Sequence, residues 1–223
     1  MNNQADTADF HSQFGYNTLD DVSPQWRGAV LRQIDLLTSR LAPDAAILEI
    51  GCGRGLALRE LKRRGYAARG IEISPAAAQA ARSNGLDVQA ADFMAPGNPG
   101  RYDAVFLSHV LEHMPDIGPL LDKVASALKP AGVVVFAQTN WKGLVPRLQR
   151  ERWYGWTPDQ HYWHFTPKGL GAVLASRGWT VLRTEQSSLS HGNSPLSRLG
   201  PLVGMGDQFH LLATISRKGD AQS

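Results

Sequence analysis

The chain has 223 residues, of which 43% are hydrophobic and 19% are charged, and its formal net charge is +3 at pH 7. This length suits one domain of ordinary size, and the composition allows a substantial core, which excludes a disordered chain and a coiled coil. The basic residues are scattered, and their densest run is Lys62-Arg63-Arg64. Proteins that bind nucleic acid or anionic membranes usually concentrate basic residues in a patch, so we expect neither partner.

Cysteine content and the absence of targeting signals indicate the compartment. Cys52 is the only cysteine, so no disulfide can form within the chain. The first residues carry neither the basic nor the apolar segment of a signal peptide. The longest purely apolar stretch, 133–137, is too short to cross a bilayer. We expect a cytoplasmic protein, and the sequence leaves its oligomeric state open.

Short apolar runs alternate with helical stretches along most of the chain. Ser23 and Pro24 predict the start of a first helix, in which Trp26, Val30 and Ile34 recur at helical spacing. The alternation continues through five strands, which favours a parallel sheet covered by helices on both faces. The predicted strands are 46–50, 67–73, 87–90, 102–107 and 132–139, and the predicted helices between them are 56–64, 74–84 and 117–128.

The pattern changes after Asn140. Residues 141–165 are rich in aromatic side chains and histidines but have no regular period. The remainder predicts a closing antiparallel pair of strands, since a helix (166–177) and a strand (179–185) are followed by a glycine-, serine- and proline-rich stretch (187–206) and a last strand. We divide the chain into a tail with a cap helix, a core, and an aromatic insertion with the closing elements, with the bounds 1–44, 45–140 and 141–223.

The most informative segment is the glycine turn after the first strand, Leu48-Glu49-Ile50-Gly51-Cys52-Gly53-Arg54-Gly55. Alternating glycines between a strand and a helix let a ligand lie against bare backbone at the carboxyl edge of a sheet. The dinucleotide fingerprint would need Gly or Ala where Leu56 stands, and no GxxxxGK[ST] sequence is present. Glu72 lies 21 residues after Gly51, at the end of the second strand, where a carboxylate can accept the hydroxyls of a ribose. The pattern predicts a site for a ligand that contains adenosine.

Taken together, the motifs resemble class I S-adenosylmethionine-dependent methyltransferases, and in particular the small bacterial ubiquinone-pathway-like group. The segments that carry the resemblance, in order over residues 45–140, are LEIGCGRG, GIEIS, ADF, YDAVFLSHVLEHMPD and LKPAGVVVFAQTN, and a Phe-Thr-Pro sequence starts the later helix. The resemblance implies an α/β fold with a Rossmann-like, mostly parallel seven-stranded sheet whose last strand is antiparallel. It also implies S-adenosyl-L-methionine as the cofactor, bound by residues 45–140. The residue pattern adds an N-terminal helical cap and an aromatic insertion after strand 5.

The resemblance further implies where the cofactor binds. The glycine-turn backbone would approach the methionine portion, Glu49 its ammonium group and Glu72 the ribose. Asp92 and Phe93 would contact the adenine, and the residues after the fourth strand would lie near the sulfonium. The implied cofactor-binding residues are Glu49, Gly51, Cys52, Gly53, Glu72, Ile73, Asp92, Phe93, Ser108 and His109.

Three histidines are candidates for catalysis: His109, His113 and His161. A general base matters when the methyl acceptor must lose a proton, and histidine suits that role. His109 and His113 are one helical turn apart, so they face the same way if this segment is an α-helix. His109, Glu112 and His113 could instead ligate a divalent metal. A third possibility is that Glu112 and His113 only stabilise the loop after the fourth strand. Ubiquinone-pathway relatives have Glu-x-x-Glu-His here, and because His109 replaces the first Glu we expect no metal.

Residues 141–165 follow the fifth strand, at the sheet edge where open α/β folds bind ligands. One interpretation is that the aromatic side chains form a local core; the other is that several line and close the pocket for the methyl acceptor. The residues predicted to bind the acceptor are Trp153, Tyr154, Trp156, His161, Tyr162 and His164.

The function expected from the sequence is transfer of a methyl group from S-adenosylmethionine to a small molecule, at oxygen. Three alternatives stay open at this point. They are methylation at nitrogen, methylation of RNA or protein, and a cofactor-binding partner protein without catalysis of its own.

Overall fold

The computed structural model describes residue 19 and residues 21–97, 99–189 and 195–215, without the side chains of 195–198. Strands and helices alternate through these residues, as the apolar runs predict. The strands are β1 (Ala46–Ile50), β2 (Ala67–Glu72), β3 (Val88–Ala90), β4 (Tyr102–Ser108), β5 (Leu128–Thr139), β6 (Trp179–Ser187) and β7 (Gln208–Ile215). The α-helices are α1 (Pro24–Thr38), α2 (Leu56–Arg63), α3 (Pro75–Ser83), α4 (Ile117–Ala127), α5 (Leu144–Gln149), α6 (Pro167–Ser176) and α7 (Pro195–Leu202).

The strands described above form a single seven-stranded sheet in the order β3-β2-β1-β4-β5-β7-β6. The neighbours from β3 to β5 pair in parallel, whereas β7 runs antiparallel to both β5 and β6. The predicted Rossmann-like α/β sheet with an antiparallel last strand is therefore confirmed. The strand order reverses direction between β1 and β4, and the carboxyl edge at such a switch point is where open α/β sheets bind ligands.

Local sequence signals start the helices where they were predicted. The Ser23 hydroxyl accepts a hydrogen bond from the Trp26 amide at 3.2 Å, and the Thr166 hydroxyl accepts one from Gly169 at 3.0 Å. In α1, α3 and α6 a proline follows the capping residue, a position that suits proline because the first helical amide has no partner within the helix.

Helices cover both faces of the sheet. On one face α1, α2 and α3 contribute Ile34, Leu61 and Ala81 to the core, and on the other α4 and α6 contribute Leu121 and Leu174. Helix α1, the predicted cap helix, also contacts β5 and β7. Its Gln33 side chain accepts a hydrogen bond from Ser108 at the end of β4. Among the described helices, none is both long enough and apolar enough to cross a bilayer.

Two element predictions are corrected. Strand β5 begins at Leu128 rather than at Gly132, because the chain leaves α4 already extended and Leu128 pairs with Tyr102 ahead of a bulge. The glycine-, serine- and proline-rich stretch contains the short helix α7, in which Pro201 lies inside the helix. Most of the predicted N-terminal tail (1–18 and 20) and Ser216, predicted to end the last strand, lie outside the described residues. The three-part division of the chain stays a prediction.

Candidate cofactor and acceptor site

The glycine turn after β1 has the backbone conformation that its sequence predicts. Gly51, Gly53 and Gly55 have φ angles of 69°, 53° and 88°, a region that residues with a side chain rarely adopt. A Cβ atom on Gly51 would lie 2.7 Å from a methyl group of Val110, in the segment after β4. The turn therefore presents its backbone next to the carboxyl end of β4.

Glu72 holds this turn against the end of β2. The side chain is 4% exposed, and its two oxygens accept hydrogen bonds from the amides of Gly53 and Ser74, each at 2.8 Å. A carboxylate offers about four acceptor positions, so Glu72 retains acceptor capacity for ribose hydroxyls while it fixes the turn. The predicted ribose contact is compatible with this geometry and stays a prediction.

Glu49 is a buried carboxyl group beside Glu72. Burial, with the nearby charge of Glu72, raises the pKa of Glu49 well above its ordinary value of 4.5. Its Oε2 atom is buried and has no hydrogen-bond partner. A cation placed next to Glu49 would favour the ionised form, which is the electrostatic environment expected for the ammonium group of a bound cofactor.

Glu49→Gln is expected to stabilise the cofactor-free protein increasingly as the pH rises above about 4.5. Above that pH Glu49 is ionised in the unfolded chain but keeps its proton in the folded protein. The stability of the wild type therefore decreases as the pH rises, and glutamine, which does not ionise, removes this decrease. Thermal unfolding at pH 5 and pH 8 measures the effect, and calorimetry should show weaker binding of S-adenosylhomocysteine by the variant. An equal difference in stability at both pH values would contradict the assignment.

Cys52 has a packing role in the turn. Its side chain is 6% exposed, and a Cβ atom added to Gly70 would lie 2.5 Å from its sulfur. Burial, which is the largest cause, raises the pKa of the Cys52 thiol far above its usual range. Cys52 is therefore a neutral thiol that fills the space between the turn and β2.

The other predicted cofactor residues lie at the ends of β2, β3 and β4. Ile73 is 55% exposed and offers an apolar surface next to Glu72. Asp92 is exposed, and its Oδ1 accepts a hydrogen bond from the Met94 amide at 2.8 Å. Phe93 is buried in the core on the α4 face, 7% exposed. The Ser108 hydroxyl donates to Gln33 Oε1 of the cap helix at 3.1 Å.

His109 is oriented by a buried carboxylate. Its Nδ1 lies 3.0 Å from Glu112 Oε1, and its Nε2 lies 3.3 Å from the side-chain amide nitrogen of Gln208 in β7. Glu112 is 1% exposed; burial alone raises its pKa, but the hydrogen bond with His109 and the charges of His109 and His113 lower it to about 2. An ionised carboxylate only accepts, so Nδ1 of His109 carries a proton and, in the neutral ring, Nε2 carries the lone pair.

The condition under which His109 and His113 would face the same way, an α-helix through both residues, is not met in the structure. Leu111–His113 form a single 3₁₀ turn, and His109 precedes it with a φ angle of 57°. A residue other than glycine at positive φ is strained, and such strain concentrates at functional sites. His113 points elsewhere, with Nδ1 3.1 Å from the backbone oxygen of Gln160.

The aromatic segment after β5 contacts the turn after β4. The Tyr162 amide donates to the backbone oxygen of Glu112 at 2.8 Å, and the rings of His113 and His161 are 4.9 Å apart. Burial lowers the pKa of His161 to about 4, so His161 is a neutral imidazole at neutral pH. Glu112, His113 and His161 each offer one ligand atom, and these atoms lie within 4.8 Å of one another.

The aromatic side chains of this segment divide into a buried and an accessible set. Trp153 is 2% exposed and covers Gly155, where an added Cβ would lie 2.5 Å from its ring. Trp156 is 39% exposed and stacks on His164 at 4.6 Å, and Tyr162 is 63% exposed. Tyr154 contacts Trp153, and burial raises the pKa of its hydroxyl. Trp153 thus packs as in the local-core interpretation, whereas Trp156, Tyr162 and His164 are available to a ligand.

Three residues near this site carry no signal in the local sequence. Trp26 and Gln33 come from the cap helix, where the ring of Trp26 is 5.5 Å from that of His109. Gln208 comes from β7 and is 99 residues from His109 in the chain. The helix pattern around Trp26 and Gln33 predicts the cap helix but not its position. The proximity of these three residues to the end of β4 depends on the packing of α1 against β7.

The sheet order, the antiparallel last strand, the glycine turn and the carboxylate at the end of β2 together define a class I S-adenosylmethionine-dependent methyltransferase fold. The chain belongs to the family described as a methyltransferase domain, whose model matches residues 24–184.

Curated relatives match about half of the chain. It is 32% identical over 117 residues to the ubiquinone biosynthesis O-methyltransferase of Xanthomonas campestris pv. campestris (strain B100), covering 48% of this chain and 49% of that protein. It is 35% identical over 102 residues to the enzyme of the same name from Alkalilimnicola ehrlichii, covering 42% and 41%. The chain therefore matches about half the length of these relatives.

Solved structures share the fold over nearly the whole chain. A Thermotoga maritima protein described as a possible histamine N-methyltransferase superposes with a TM-score of 0.68 at 19% identity, covering 95% of this chain and 96% of that one. Magnesium protoporphyrin IX methyltransferase from Synechocystis PCC 6803, solved with bound S-adenosylmethionine, superposes with a TM-score of 0.66 at 15% identity, covering 97% and 98%.

Proposed function

We propose that this protein transfers the methyl group of S-adenosylmethionine to a hydroxyl group of a small molecule. The observation that carries the choice of oxygen is the Glu112–His109 pair at the carboxyl end of β4, with Nδ1 to Oε1 at 3.0 Å. A hydroxyl must lose its proton to become a good nucleophile, and a histidine oriented by a buried carboxylate is suited to take it.

The cofactor lies across the carboxyl ends of β1, β2 and β4 in this proposal. The positive-φ glycine turn would receive the methionine portion, Glu49 its ammonium group, and Glu72 the ribose hydroxyls. Ile73 and Asp92 would face the adenine. Ser108 and His109 would lie beside the sulfonium, so residues 45–140 supply cofactor binding.

The reaction is a single displacement. The acceptor oxygen attacks the methyl carbon, an oxygen–carbon bond forms, and the carbon–sulfur bond breaks with its electron pair passing to sulfur. S-adenosylhomocysteine leaves, and the hydroxyl proton passes to Nε2 of His109, where the acceptor replaces the Gln208 amide as hydrogen-bond partner. Alignment of oxygen, carbon and sulfur contributes most of the rate enhancement, up to about 7–11 kcal/mol.

The acceptor pocket is formed by the cap helix and the segment after β5. The ring of Trp26 lies 5.5 Å from that of His109. The segment after β5 would supply Trp156, Tyr162, His161 and His164, of which Trp156 and His161 both have ring contacts with His164. Aromatic side chains with a few polar groups among them suit a small, partly apolar molecule. The curated relatives of the chain are O-methyltransferases by name, which supports oxygen as the acceptor atom.

A turnover screen tests the proposal. The protein is incubated with S-adenosylmethionine carrying an isotope-labelled methyl group and with separate libraries of phenols, sugars, carboxylates and amines, and products are read by mass. The expected result is a labelled methyl ether from a hydroxylated compound. Labelled amines alone would identify a nitrogen acceptor, and S-adenosylhomocysteine binding without turnover on any library would indicate a non-catalytic binding protein.

A further inference from the structure

We propose that Glu112, His113 and His161 form a binding site for one divalent transition-metal ion, such as Zn²⁺, on the acceptor side of the cofactor site. Their ligand atoms lie within 4.8 Å of one another. Ligands of one tetrahedral ion at 2.0–2.2 Å are separated by ~3.3 Å, so small side-chain rotations bring the three atoms onto one ion. One carboxylate and two imidazoles are a donor set that catalytic zinc sites use, and they leave a fourth position open.

Two hydrogen bonds, one between backbone groups and one from a side chain to the backbone, hold the ligands together before any ion binds. Glu112 and His113 belong to the turn after β4, and His161 belongs to the segment after β5. The Tyr162 amide donates to the Glu112 carbonyl at 2.8 Å, and His113 Nδ1 lies 3.1 Å from the Gln160 carbonyl. These bonds join the two segments immediately beside the proposed ligands. The ligand residues are therefore close together before an ion binds.

The hydrogen bonds around the ligands match those that orient metal ligands elsewhere. A ligating histidine donates its second ring N–H to a carbonyl or carboxylate, and a ligating carboxylate accepts a hydrogen bond at its other oxygen. His113 Nδ1 has the Gln160 carbonyl as its partner, which fixes the tautomer with the lone pair on Nε2. Glu112 Oε1 has His109 as its partner at 3.0 Å.

Glu112 and His161 each have a buried polar atom without a hydrogen-bond partner. These are Oε2 of Glu112, a side chain that is 1% exposed, and Nδ1 of His161. A buried acceptor without a partner destabilises the folded protein, and more so when it is charged. A cation between the two side chains offsets the cost at Glu112.

The ligand set differs from the one considered on sequence grounds. The sequence placed His109 with Glu112 and His113, whereas the structure uses His109 to orient Glu112 and supplies the third ligand from His161. Two imidazoles favour a transition metal over Mg²⁺ or Ca²⁺, which prefer oxygen donors. The role of the ion rests on the proposed function. The acceptor oxygen would take the open coordination position, where the ion would lower the pKa of the acceptor hydroxyl.

Metal titration of the untagged protein tests the site. The protein is stripped with a chelator and titrated with Co²⁺, followed by visible absorption, and with Zn²⁺, followed by calorimetry. The expected result is one ion per chain. His161→Ala and Glu112→Gln should each weaken binding by at least about tenfold, the lower end of what losing even an outer-sphere partner costs.

His164→Ala is the matched control, because His164 is the neighbouring histidine but is not among the ligands, and its metal affinity should equal that of the wild type. Circular dichroism checks that each variant is folded. Binding of less than one ion per chain, or wild-type affinity in folded His161→Ala, overturns the metal site. S-adenosylhomocysteine affinity, measured separately, reports on the cofactor site, so failure of one proposal is distinguished from failure of the other.

Discussion

His109→Asn is expected to lower the methyl-transfer rate by about 10²–10⁴-fold, the usual contribution of a general base, while S-adenosylhomocysteine affinity stays close to that of the wild type. Asparagine cannot take the proton that His109 Nε2 receives in the proposed reaction. The loss should fall on kcat rather than on KM for S-adenosylmethionine. Single-turnover kinetics with a hydroxylated acceptor measures it.

Asparagine is the appropriate replacement because His109 has a strained backbone conformation. His109 has a φ angle of 57°, and among residues with a side chain asparagine tolerates this region best. Alanine would add backbone strain to the loss of the ring and mix the two effects. Thermal unfolding shows whether the variant is folded as the wild type is. Unchanged kcat, or a rate loss matched by an equal loss of S-adenosylhomocysteine affinity, would show that His109 is not the base.

Glu72→Ala is expected to weaken S-adenosylhomocysteine binding by about 1.5–3 kcal/mol, the scale of hydrogen bonds to a charged group, which corresponds to roughly 10- to 150-fold in the dissociation constant. The substitution removes the proposed ribose acceptor. It also leaves the Gly53 and Ser74 amides without the oxygens that accept from them at 2.8 Å, so the glycine turn loses its anchor. Calorimetry well below the unfolding temperature measures the affinity.

Asp87→Ala provides the matched control for Glu72→Ala. Asp87 immediately precedes β3 and is an exposed carboxylate whose nearest charged partner is Arg69 at 3.7 Å. Its removal should leave the affinity unchanged, since it lies outside the proposed cofactor contacts. If Glu72→Ala binds as tightly as Asp87→Ala, the adenosine does not lie at the end of β2.

Much of the cofactor side of the site could be predicted because its residues are close in the sequence. The glycine turn follows β1 directly, and Glu72 and Asp92 end or follow the next two strands. In a parallel sheet the carboxyl ends of the strands lie along one edge, so the order of the elements predicts that these residues converge. Prolines and capping side chains, which act within a few residues, also predicted where α1, α3 and α6 begin.

The acceptor side could not be predicted in the same way. The sequence left open whether His109 and His113 lie on an α-helix, and in the structure the chain leaves β4 through a strained residue and a single 3₁₀ turn. That geometry depends on Glu112, buried by the surrounding elements, and on the bond between the Tyr162 amide and the Glu112 carbonyl. Neither determinant is local.

The sequence by itself determined the fold class and the position of the glycine turn, because periodicity, turn residues and helix caps act over short distances along the chain. It indicated the family through the resemblance of its motifs to those of known methyltransferases. Only the tertiary structure decided that His109 pairs with Glu112 and Gln208, that His161 joins Glu112 and His113, and that Trp153 is buried while Trp156 is accessible. These contacts join residues up to 99 positions apart. They depend on how the cap helix, the segment after β5 and the antiparallel strand β7 pack around the end of β4, which no local pattern encodes.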